Sequence, residues 1–266
     1  MKKRINILGS TGSIGNTTLK IISSNLKLFS IETLMANKNF SKIQKQINQY
    51  NPKNFVVTNY DTYLKVAKKF KKKKIKIYNN FNSVKINKKI DITVAAIPGL
   101  AGLEPTLKFT KKSKILLIAN KESVICGWEL INNIVKKYKV KIIPIDSEHF
   151  SIMKLIEHTK KNEIDKIYIT ASGGPFLKKN IKSFKKITPS EALKHPKWSM
   201  GKKISIDSAT LMNKIFELLE AERIFSYPLS IFKIIIHPQS LIHAIVKYKN
   251  GLTKFLYHEP NMSVPI

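Results

Sequence analysis

A glycine-rich turn near the amino terminus constrains the fold of this chain more than any other feature. A short apolar run at residues 4–8 ends in Gly9-Ser10-Thr11-Gly12-Ser13-Ile14-Gly15, and apolar residues at helical spacing follow at 17–24. Strand, glycine turn and helix in this order are typical of nucleotide-binding α/β proteins. The glycine spacing is G-x-x-G-x-x-G rather than G-x-G-x-x-G, so a structural tight turn is the alternative. We favour a dinucleotide site, because the helix amino terminus can bind a pyrophosphate.

The pattern of strand followed by helix repeats along the first half of the chain. It predicts seven strands, at residues 4–8, 29–36, 54–58, 75–78, 90–96, 114–119 and 140–145. It predicts helices at residues 17–24, 40–50, 63–70, 102–109 and 123–138. Strands separated by helices in this way form a mostly parallel sheet. We therefore predict an α/β protein that begins with a doubly wound parallel sheet.

The residues after the second predicted strand indicate which dinucleotide binds. An NAD site normally carries an Asp or Glu there, which accepts a hydrogen bond from the ribose 2′-hydroxyl. This chain has Ala36-Asn37-Lys38-Asn39 instead. Lys38 and Asn39 can bind a 2′-phosphate that a carboxylate would repel, so the sequence favours NADP. The alternative is that Lys38 only reflects the abundance of lysine.

The formal net charge of +31 raises the alternative of a nucleic-acid- or membrane-surface-binding protein on a similar scaffold. The 266 residues contain 48 Lys and Arg against 17 Asp and Glu, and only Arg4 and Arg223 are arginine. A positive excess attracts phosphate backbones, but reading bases and gripping phosphate with two hydrogen bonds favour arginine. A lysine excess with abundant Ile and Asn is typical of a biased coding sequence. We therefore expect no nucleic-acid partner.

Cysteine content and apolar run lengths bear on the compartment. Cys126 is the single cysteine, so no disulfide can form within the chain and a reducing compartment is the default. The apolar stretch at residues 5–8 is too short for a signal peptide, and no apolar run reaches the length of a membrane span. We expect a cytoplasmic protein with no membrane partner.

Carboxylates in the second half predict a metal site. A predicted strand at residues 139–145 leads into Asp146-Ser147-Glu148, and extended geometry would place Asp146 and Glu148 on one side. Two neighbouring carboxylates repel each other unless they share a proton or a cation. Oxygen ligands favour a hard ion such as Mg²⁺ or Mn²⁺. His149 leaves a zinc interpretation open, although no Cys or second His has the accompanying spacing.

A later segment offers a third carboxylate. We predict a strand at residues 203–206, then Asp207 and Ser208 as helix N-cap types, then a helix. The apolar side of that helix is predicted to carry Leu211, Ile215, Leu218 and Leu219. Asn213, Lys214 and Glu217 would share another face and form a polyol and metal site. A surface salt bridge between Lys214 and Glu217 is the alternative.

Two loops add candidate binding residues. Ala171-Ser172-Gly173-Gly174-Pro175 follows a predicted strand, and its small residues let backbone N–H groups approach an anion. The loop His195-Pro196-Lys197-Trp198-Ser199-Met200-Gly201-Lys202 contains an indole between Pro and Gly. Trp198 fits a lid that closes over a substrate, and packing of this residue on the core is the alternative.

Seven motifs occur in one order along nearly the whole chain. They are the turn Gly9–Gly15, Ala119-Asn120-Lys121-Glu122-Ser123, Asp146-Ser147-Glu148-His149, Ser172-Gly173-Gly174-Pro175-Phe176, the loop His195–Lys202, Asp207-Ser208-Ala209-Thr210 and Met212-Asn213-Lys214. With these motifs the chain closely resembles the 1-deoxy-D-xylulose 5-phosphate reductoisomerase family. The resemblance implies an NADPH-dependent oxidoreductase of the non-mevalonate isoprenoid pathway. Such an enzyme converts the phosphosugar 1-deoxy-D-xylulose 5-phosphate to 2-C-methyl-D-erythritol 4-phosphate with a divalent metal, Mg²⁺ or Mn²⁺, with Co²⁺ as a third candidate.

The resemblance also implies a role for individual residues. The implied cofactor-binding residues are Thr11, Gly12, Ser13, Ile14, Asn37, Lys38, Asn39, Asn120, Glu122 and Gly201, with Asn37 standing where the family usually has Gly. The implied metal ligands are Asp146, Glu148 and Glu217. The implied substrate contacts are Lys121, Ser147, Glu148, Ser172, His195, Ser208, Asn213, Lys214 and Glu217. Lys121 and Glu148 are the implied catalytic residues, and Trp198 and Met200 the implied lid.

The resemblance finally implies an architecture. We expect an N-terminal Rossmann-like NADPH-binding domain at residues 1–146 and an α+β catalytic domain that binds metal and substrate at residues 147–266. Family members continue into a C-terminal helical domain, which we expect to be absent. We therefore expect a fragment or truncated product with low activity on its own, and a homodimer. A degenerate enzyme kept as an interaction partner is a further alternative, against which the intact carboxylate triplet argues.

Overall fold

Seven strands of the first part of the chain form one parallel sheet. The computed structural model describes residues 2–194 and 201–266, and these divide into one unit up to Pro144 and a second from Ile145 to Pro265. The strands of the first unit are β1 (Lys3–Leu8), β2 (Phe29–Ala36), β3 (Asn54–Val57), β4 (Lys76–Tyr78), β5 (Ile90–Ala95), β6 (Ser113–Ile118) and β7 (Lys141–Pro144). Its helices are α1 (Ser13–Ser23), α2 (Phe40–Tyr50), α3 (Tyr60–Phe70), α4 (Leu103–Thr110) and α5 (Lys121–Tyr138).

The strand order explains where a ligand can bind in the first unit. The order is β4-β3-β2-β1-β5-β6-β7, with every pairing parallel. The chain builds outward from β1 in one direction and then, from β5, in the other, so the switch point lies between β1 and β5. Ligands of such sheets bind beyond the carboxyl ends of the strands at this point. The glycine turn follows β1 and is therefore placed there.

Burial in the first sheet follows the sequence pattern. Ile7 and Leu8 are both fully buried although they are adjacent, and so are Phe55, Val56 and Val57 along β3. Side chains of adjacent strand residues point to opposite faces, so both faces of this sheet are covered. The predicted α/β class with a Rossmann-like doubly wound sheet is confirmed.

The second unit contains a four-stranded mixed sheet. Its strands are β8 (Ile164–Ala171), β9 (Phe232–Ile236), β10 (Ile242–Tyr248) and β11 (Thr253–Tyr257), and its helices are α6 (Ser147–Leu155), α7 (Pro189–Ala192), α8 (Lys202–Ala209) and α9 (Met212–Phe225). The order is β11-β10-β8-β9, in which only β8 and β9 pair in parallel.

One face of this second sheet holds two helices in place. Ile167 and Val246 belong to a buried cluster that also contains Ile152 of α6 and Ala221 of α9. Both helices are therefore anchored on the same apolar layer. This arrangement matters for function, because α6 and α9 carry the predicted metal ligands.

The segment at residues 203–206 differs from its prediction. It was predicted as a strand, but it lies inside helix α8. Asp207 and Ser208 consequently sit in the last turn of α8 and do not cap α9. An i,i+4 ion pair between Lys203 Nζ and Asp207 Oδ2 at 2.6 Å supports the helix. The buried residue of α8 is Ser205, and Ile206 is exposed. The isoleucines of this segment therefore do not mark the buried face of a strand.

The predicted apolar stripe of α9 is also wrong in part. Leu211 lies just before the helix, and Leu211 and Ile215 are exposed. The buried positions are Lys214, Glu217, Glu220 and Ala221. Polar residues occupy the buried face because that face forms the candidate site. In the described part of the chain, no helix has both the length and the apolar character needed to cross a membrane.

Candidate functional site

The start of α6 brings Asp146 and Glu148 together. β7 ends at Pro144, and Asp146 is the N-cap of α6, whose side chain accepts a hydrogen bond from the Glu148 N–H at 3.3 Å. Asp is a preferred N-cap residue because its carboxylate satisfies a first-turn N–H group. The predicted juxtaposition of the two carboxylates is present, but a helix cap and not a continued strand produces it.

Glu217 of α9 completes a carboxylate cluster, by which we mean Asp146, Glu148 and Glu217. One carboxylate oxygen of each lies within 4.8 Å of the others. Glu217 is 1% exposed, and the other two are half-buried. Three carboxylates this close offer only hard oxygen donors, which suit Mg²⁺ or Mn²⁺ better than zinc. The donor set therefore fits the implied metal.

Lys214 bridges the carboxylate cluster. Its ammonium donates to Glu148 Oε1 and, at 2.7 Å, to Glu217 Oε2. The side chain of Lys214 is 9% exposed and that of Glu217 is 1% exposed, so this pair is buried and the surface salt bridge considered from the sequence is wrong. Burial alone would lower the pKa of Lys214, but Glu148 and Glu217 raise it above its usual value. Lys214 therefore stays charged and offsets part of the carboxylate repulsion.

Glu148 is a member of the carboxylate cluster whose pKa is raised to near neutral pH. Burial raises its pKa, the charge of Glu217 raises it further, Lys214 opposes this, and the result is about 7. Near neutral pH this carboxyl therefore exchanges a proton readily. A bound cation would replace that proton, which is the behaviour expected of a metal ligand that can also accept protons.

His149 lies beneath the carboxylate cluster and links its two helices. The ring is fully buried, and Nε2 donates to the backbone carbonyl of Glu217 at 3.0 Å. Nδ1 lies 3.4 Å from Asp146 Oδ1 and 3.6 Å from Glu220 Oε2. Burial lowers the pKa of His149, but Glu220 and Asp146 raise it more strongly, to about 9. The positively charged imidazolium therefore offsets negative charge on Asp146 and Glu220.

Sequence reasoning missed Glu220. It considered His149 only as a zinc ligand and gave Glu220 no role, yet Glu220 is 1% exposed. The available signal was its spacing of three residues from Glu217, which places both carboxylates on one face of α9.

Four residues predicted to surround the substrate phosphate line one pocket. Ser172, Ser208, Asn213 and Lys214 line it together with Ala171, Gly173 and Leu211. Asn213 also donates to Glu217 Oε1, so the pocket adjoins the carboxylate cluster.

Backbone geometry shapes the same pocket. Leu211 adopts a left-handed conformation with φ 59°, and α9 begins after it without a side-chain cap. The uncapped N–H groups of a helix start favour an anion. A Cβ on Gly174, whose φ is 70°, would lie 2.8 Å from the Ser208 carbonyl oxygen. Only glycine allows this close approach of the two pocket walls, and strain of this kind is typical of ligand sites.

The glycine turn is built from two close backbone contacts. Gly9 has φ 88°, and a Cβ there would lie 2.5 Å from the Ala96 carbonyl oxygen. A Cβ on Gly15 would lie 2.4 Å from the Gly9 carbonyl oxygen. Gly12 and Ser13 are exposed at the start of α1, and Thr11 and Ile14 are half-buried. The turn therefore presents its middle residues to a ligand and tolerates no side chain at its two ends.

The segment after β2 lies at the same sheet edge as the glycine turn. Asn37, Lys38 and Asn39 are exposed, and the Asn39 side chain caps α2 by accepting from the Lys42 N–H at 3.0 Å. Lys42 was not predicted, although its Nζ donates to the Thr11 carbonyl oxygen at 3.2 Å. A basic residue one turn into the helix after Lys38 was the signal in the sequence.

The predicted residues after β6 organise a neighbouring loop. Asn120 caps α5 by accepting from the Ser123 N–H at 2.9 Å, and its amide donates to the carbonyl oxygens of Ile97 and, at 3.0 Å, Gly99. Glu122 Oε2 accepts from the Gly99 N–H at 3.3 Å. Both residues therefore brace the loop that follows β5, at the switch point.

The structure also describes three other predicted site residues, Lys121, Ser147 and Gly201. Lys121 is the first residue of α5 and is buried, and the Ser147 hydroxyl donates to Glu148 Oε2. Gly201 is the exposed N-cap of α8. The predicted substrate contact His195 and the predicted lid residues Trp198 and Met200 lie outside the described residues.

Comparison with known proteins decides the family. Residues 5–127 match the family model of 1-deoxy-D-xylulose 5-phosphate reductoisomerase, and residues 142–225 match that of its C-terminal domain. A relative of that name from Pelagibacter ubique is 53% identical over 99% of this chain and 69% of its own length. The chain belongs to the 1-deoxy-D-xylulose 5-phosphate reductoisomerase family.

Other members of the reductoisomerase family align with this chain over the same share of their length. The reductoisomerase of Clostridium perfringens is 40% identical over 99% of this chain and 70% of its own length. A crystal structure of the reductoisomerase with NADPH, fosmidomycin and magnesium superposes with a TM-score of 0.92 at 35% identity, covering 99% of this chain and 68% of the other. The structure of the Zymomonas mobilis reductoisomerase with NADPH superposes with a TM-score of 0.89 at 34% identity. This match covers 100% of this chain and 69% of the other. The chain thus spans about 70% of the length of its relatives.

Proposed function

We propose that this chain catalyses the NADPH- and divalent-metal-dependent conversion of 1-deoxy-D-xylulose 5-phosphate to 2-C-methyl-D-erythritol 4-phosphate, in isoprenoid biosynthesis. The observation that carries the proposal is the carboxylate cluster with its bridging Lys214, adjoining a pocket lined by Ser172, Ser208 and Asn213. An acidic ion site beside an anion pocket suits a phosphosugar whose hydroxyl groups reach the ion. Related structures hold NADPH and magnesium, which supports both cofactors.

Asp146, Glu148 and Glu217 hold the divalent ion in this proposal. When bound, the ion supplies positive charge beside the sugar oxygens and NADPH supplies a hydride. The residues of the chain prepare this site: His149 fixes α6 against α9, and Lys214 balances the carboxylates until the ion arrives. Ser147 donates its hydroxyl to Glu148 and limits the orientation of that ligand.

Ser172, Ser208, Asn213 and Lys214 bind the substrate phosphate in this proposal. Two hydroxyls, an amide and an ammonium are suitable donors for its oxygens, and the start of α9 adds backbone N–H groups. Ser147, Glu148, Glu217 and Lys121 contact the sugar. His195 is proposed as a further contact on the resemblance alone.

Glu148 and Lys121 are the proposed catalytic residues. Glu148 is proposed to accept a proton from a sugar hydroxyl through its carboxylate. Its pKa of about 7 applies to the metal-free cluster, and a bound cation would keep the group ionised. Lys121 contributes positive charge to the oxygens on which negative charge develops. Trp198 and Met200 are proposed to exclude water as a lid.

The cofactor is proposed to bind at the carboxyl edge of the first sheet. Thr11, Gly12, Ser13 and Ile14 bind its pyrophosphate, and Asn37, Lys38 and Asn39 flank its 2′-phosphate. Asn120, Glu122 and Gly201 are the remaining proposed contacts. The exposed N–H groups at the uncapped start of α1 support this assignment.

We further propose that the chain forms a homodimer and that it is located in the cytoplasm. Ile245 pairs with Tyr168 and Phe255 on the sheet face opposite α6 and α9, and Phe255 and Tyr257 are each 58% exposed. Apolar surface of this kind is typical of protein interfaces. The exposed thiol of Cys126 supports a reducing compartment.

Oxidation of NADPH in the presence of 1-deoxy-D-xylulose 5-phosphate and Mg²⁺ or Mn²⁺ tests the function. We expect Glu217→Gln to lose activity by at least about a hundredfold, because a ligand that supplies several kcal/mol of charge stabilisation is removed. Glu222→Gln, on the same helix but outside the cluster, is the matched control and should keep the activity. A Glu217→Gln variant with unchanged rate and metal dependence would contradict the proposed metal site.

A further inference from the structure

We propose that Gln46 of α2 is a positioning residue for the phosphates of NADPH. It holds the glycine turn so that the first-turn N–H groups of α1 face the cofactor, while the Gly9 and Ser10 N–H groups donate to the Met35 carbonyl oxygen. This inference rests on the proposed function, because it concerns the same NADPH site. Neither the sequence motifs nor the comparisons assign any role to Gln46.

The contacts of Gln46 are directed at a single residue of the turn. Its side chain is buried, and Oε1 accepts a hydrogen bond from the Ser10 hydroxyl at 2.8 Å. Its Nε2 donates to the Ser10 carbonyl oxygen at 2.9 Å and to Asn16 Oδ1 at 3.4 Å. Ser10 itself is fully buried. A buried amide whose donors and acceptor are both engaged defines one orientation of its partner.

The orientation of Ser10 matters because a phosphate requires N–H groups and repels carbonyl oxygens. The carbonyl oxygens along the turn are each engaged by the protein. Gly9 accepts from the Gly12 N–H at 3.1 Å, Ser10 accepts from Gln46, and Thr11 accepts from Asn16 Nδ2 at 3.0 Å. Gly12 then begins α1 with no side-chain cap, so the first-turn N–H groups stay available for an anion.

Gln46 also connects the two phosphate-binding segments. Asn39, in the segment proposed for the 2′-phosphate, is the N-cap of α2, and Gln46 lies on this helix two turns later. Lys42, between them, reaches the Thr11 carbonyl oxygen. One rigid helix thus contacts both segments. Together with the Ser10 N–H, which donates to the Met35 carbonyl oxygen at 2.8 Å, Gln46 therefore fixes the distance between the proposed pyrophosphate and 2′-phosphate sites.

Replacement of Gln46 by leucine tests the inference, with Gln49→Leu on the exposed side of the same helix as the matched control. We expect Gln46→Leu to raise the NADPH dissociation constant, measured by fluorescence titration, by about tenfold, because misplacement by a fraction of an ångström weakens several N–H contacts together. The KM for NADPH should rise in parallel. The KM for 1-deoxy-D-xylulose 5-phosphate and kcat at saturating NADPH should not change, and Gln49→Leu should match the unmodified chain in every measurement.

A second variant covers the case in which Gln46→Leu does not fold. Ser10→Ala removes the hydroxyl that Gln46 accepts from while the carbonyl contact remains, so we expect a smaller rise in the NADPH dissociation constant at a retained thermal unfolding temperature. Unchanged NADPH affinity in whichever of the two variants is folded would overturn the inference. Equal losses of NADPH and substrate affinity would also overturn it, since they indicate a general structural role. An unmodified chain that binds no NADPH would instead contradict the proposed function itself.

Discussion

His149 links the two helices that carry the carboxylate cluster, as the Lys214–Glu148 ion pair also does. It is fully buried, yet three acidic side chains surround it or lie against its partners, and together they hold its pKa at about 9. Breaking a buried, paired charge is costly because the partner charges stay behind in a poorly solvated site. The protonation of this one ring therefore links pH to the stability of the metal site.

We predict that the metal-free protein loses stability between about pH 6.5 and pH 9. The folded-state pKa of His149 is raised above its unfolded value, so its contribution is complete below pH 6.5 and disappears as the pH rises through 9. Glu148 acts in the same direction, but its contribution disappears by about pH 7. The loss of free energy of unfolding above pH 7 should be roughly 1 to 3 kcal/mol, measured by urea denaturation in EDTA.

Two variants separate His149 from other titrating groups. His149→Gln cannot be charged and should show a flatter dependence of stability on pH above 7. His158→Asn removes an exposed histidine whose φ of 64° asparagine tolerates, and it should keep the dependence of the unmodified protein. A His149→Gln variant with the unmodified pH profile would show that His149 is not the linked group.

At the scale of elements, the site depends on how helices start. Asp146 caps α6, Asn120 caps α5 and Asn39 caps α2, so three predicted functional residues serve first as helix caps. Leu211 is different, because it precedes α9 in a left-handed conformation and provides no cap. An uncapped start and a strained leucine are unfavourable locally, and both lie at the proposed phosphate pocket.

We predict that Leu211→Gly leaves the stability unchanged or raises it by up to about 1 kcal/mol, because glycine relieves the left-handed strain. Ile215→Gly, four residues later and similarly exposed, is the control and should cost about 1 kcal/mol as an ordinary helix-interior glycine. Thermal or urea unfolding of both variants measures the difference. Equal destabilisation by the two substitutions would show that Leu211 is not strained.

Elements with strong periodicity were predictable from the sequence, and elements formed by tertiary contacts were not. The seven parallel strands follow from apolar runs bounded by turn residues, because each such run must be buried between helices. Residues 203–206 were predicted as a strand but lie in helix α8, whose buried residue is Ser205. The carboxylates of Asp146, Glu148 and Glu217 were predicted as a group. Lys42 and Glu220 were missed although their spacing was a signal, and Gln46 was not predictable, because only the fold brings it to Ser10.

The net charge of the chain and the exposed apolar face of its second sheet have separate explanations. The net charge of +31 comes almost entirely from lysine, and two phosphorylated ligands are compatible with a basic protein. The exposed apolar face of the second sheet calls for a partner, and a second copy of the chain is the proposed one. The net charge is therefore compatible with a reductoisomerase, and the exposed apolar face is compatible with the proposed dimer.

We predict that Phe255→Lys shifts the protein from dimer to monomer. Phe255 is 58% exposed and pairs with Ile245 of the neighbouring strand, so a lysine there places a charge in the proposed interface. Light scattering after size-exclusion chromatography measures the mass. A mass unchanged by Phe255→Lys, or a monomeric unmodified chain, would contradict the proposed interface.

The identity of the product decides whether the chain has the proposed reductoisomerase activity. The chain, in molar excess over 1-deoxy-D-xylulose 5-phosphate, is incubated with Mg²⁺ and NADPH deuterated at the transferred position, and the product is examined by NMR, so that slow turnover does not obscure the result. We expect the branched 2-C-methyl-D-erythritol 4-phosphate, with one deuterium on the carbon that receives the hydride. A product that keeps the unbranched carbon chain, or no product despite bound NADPH, would contradict it.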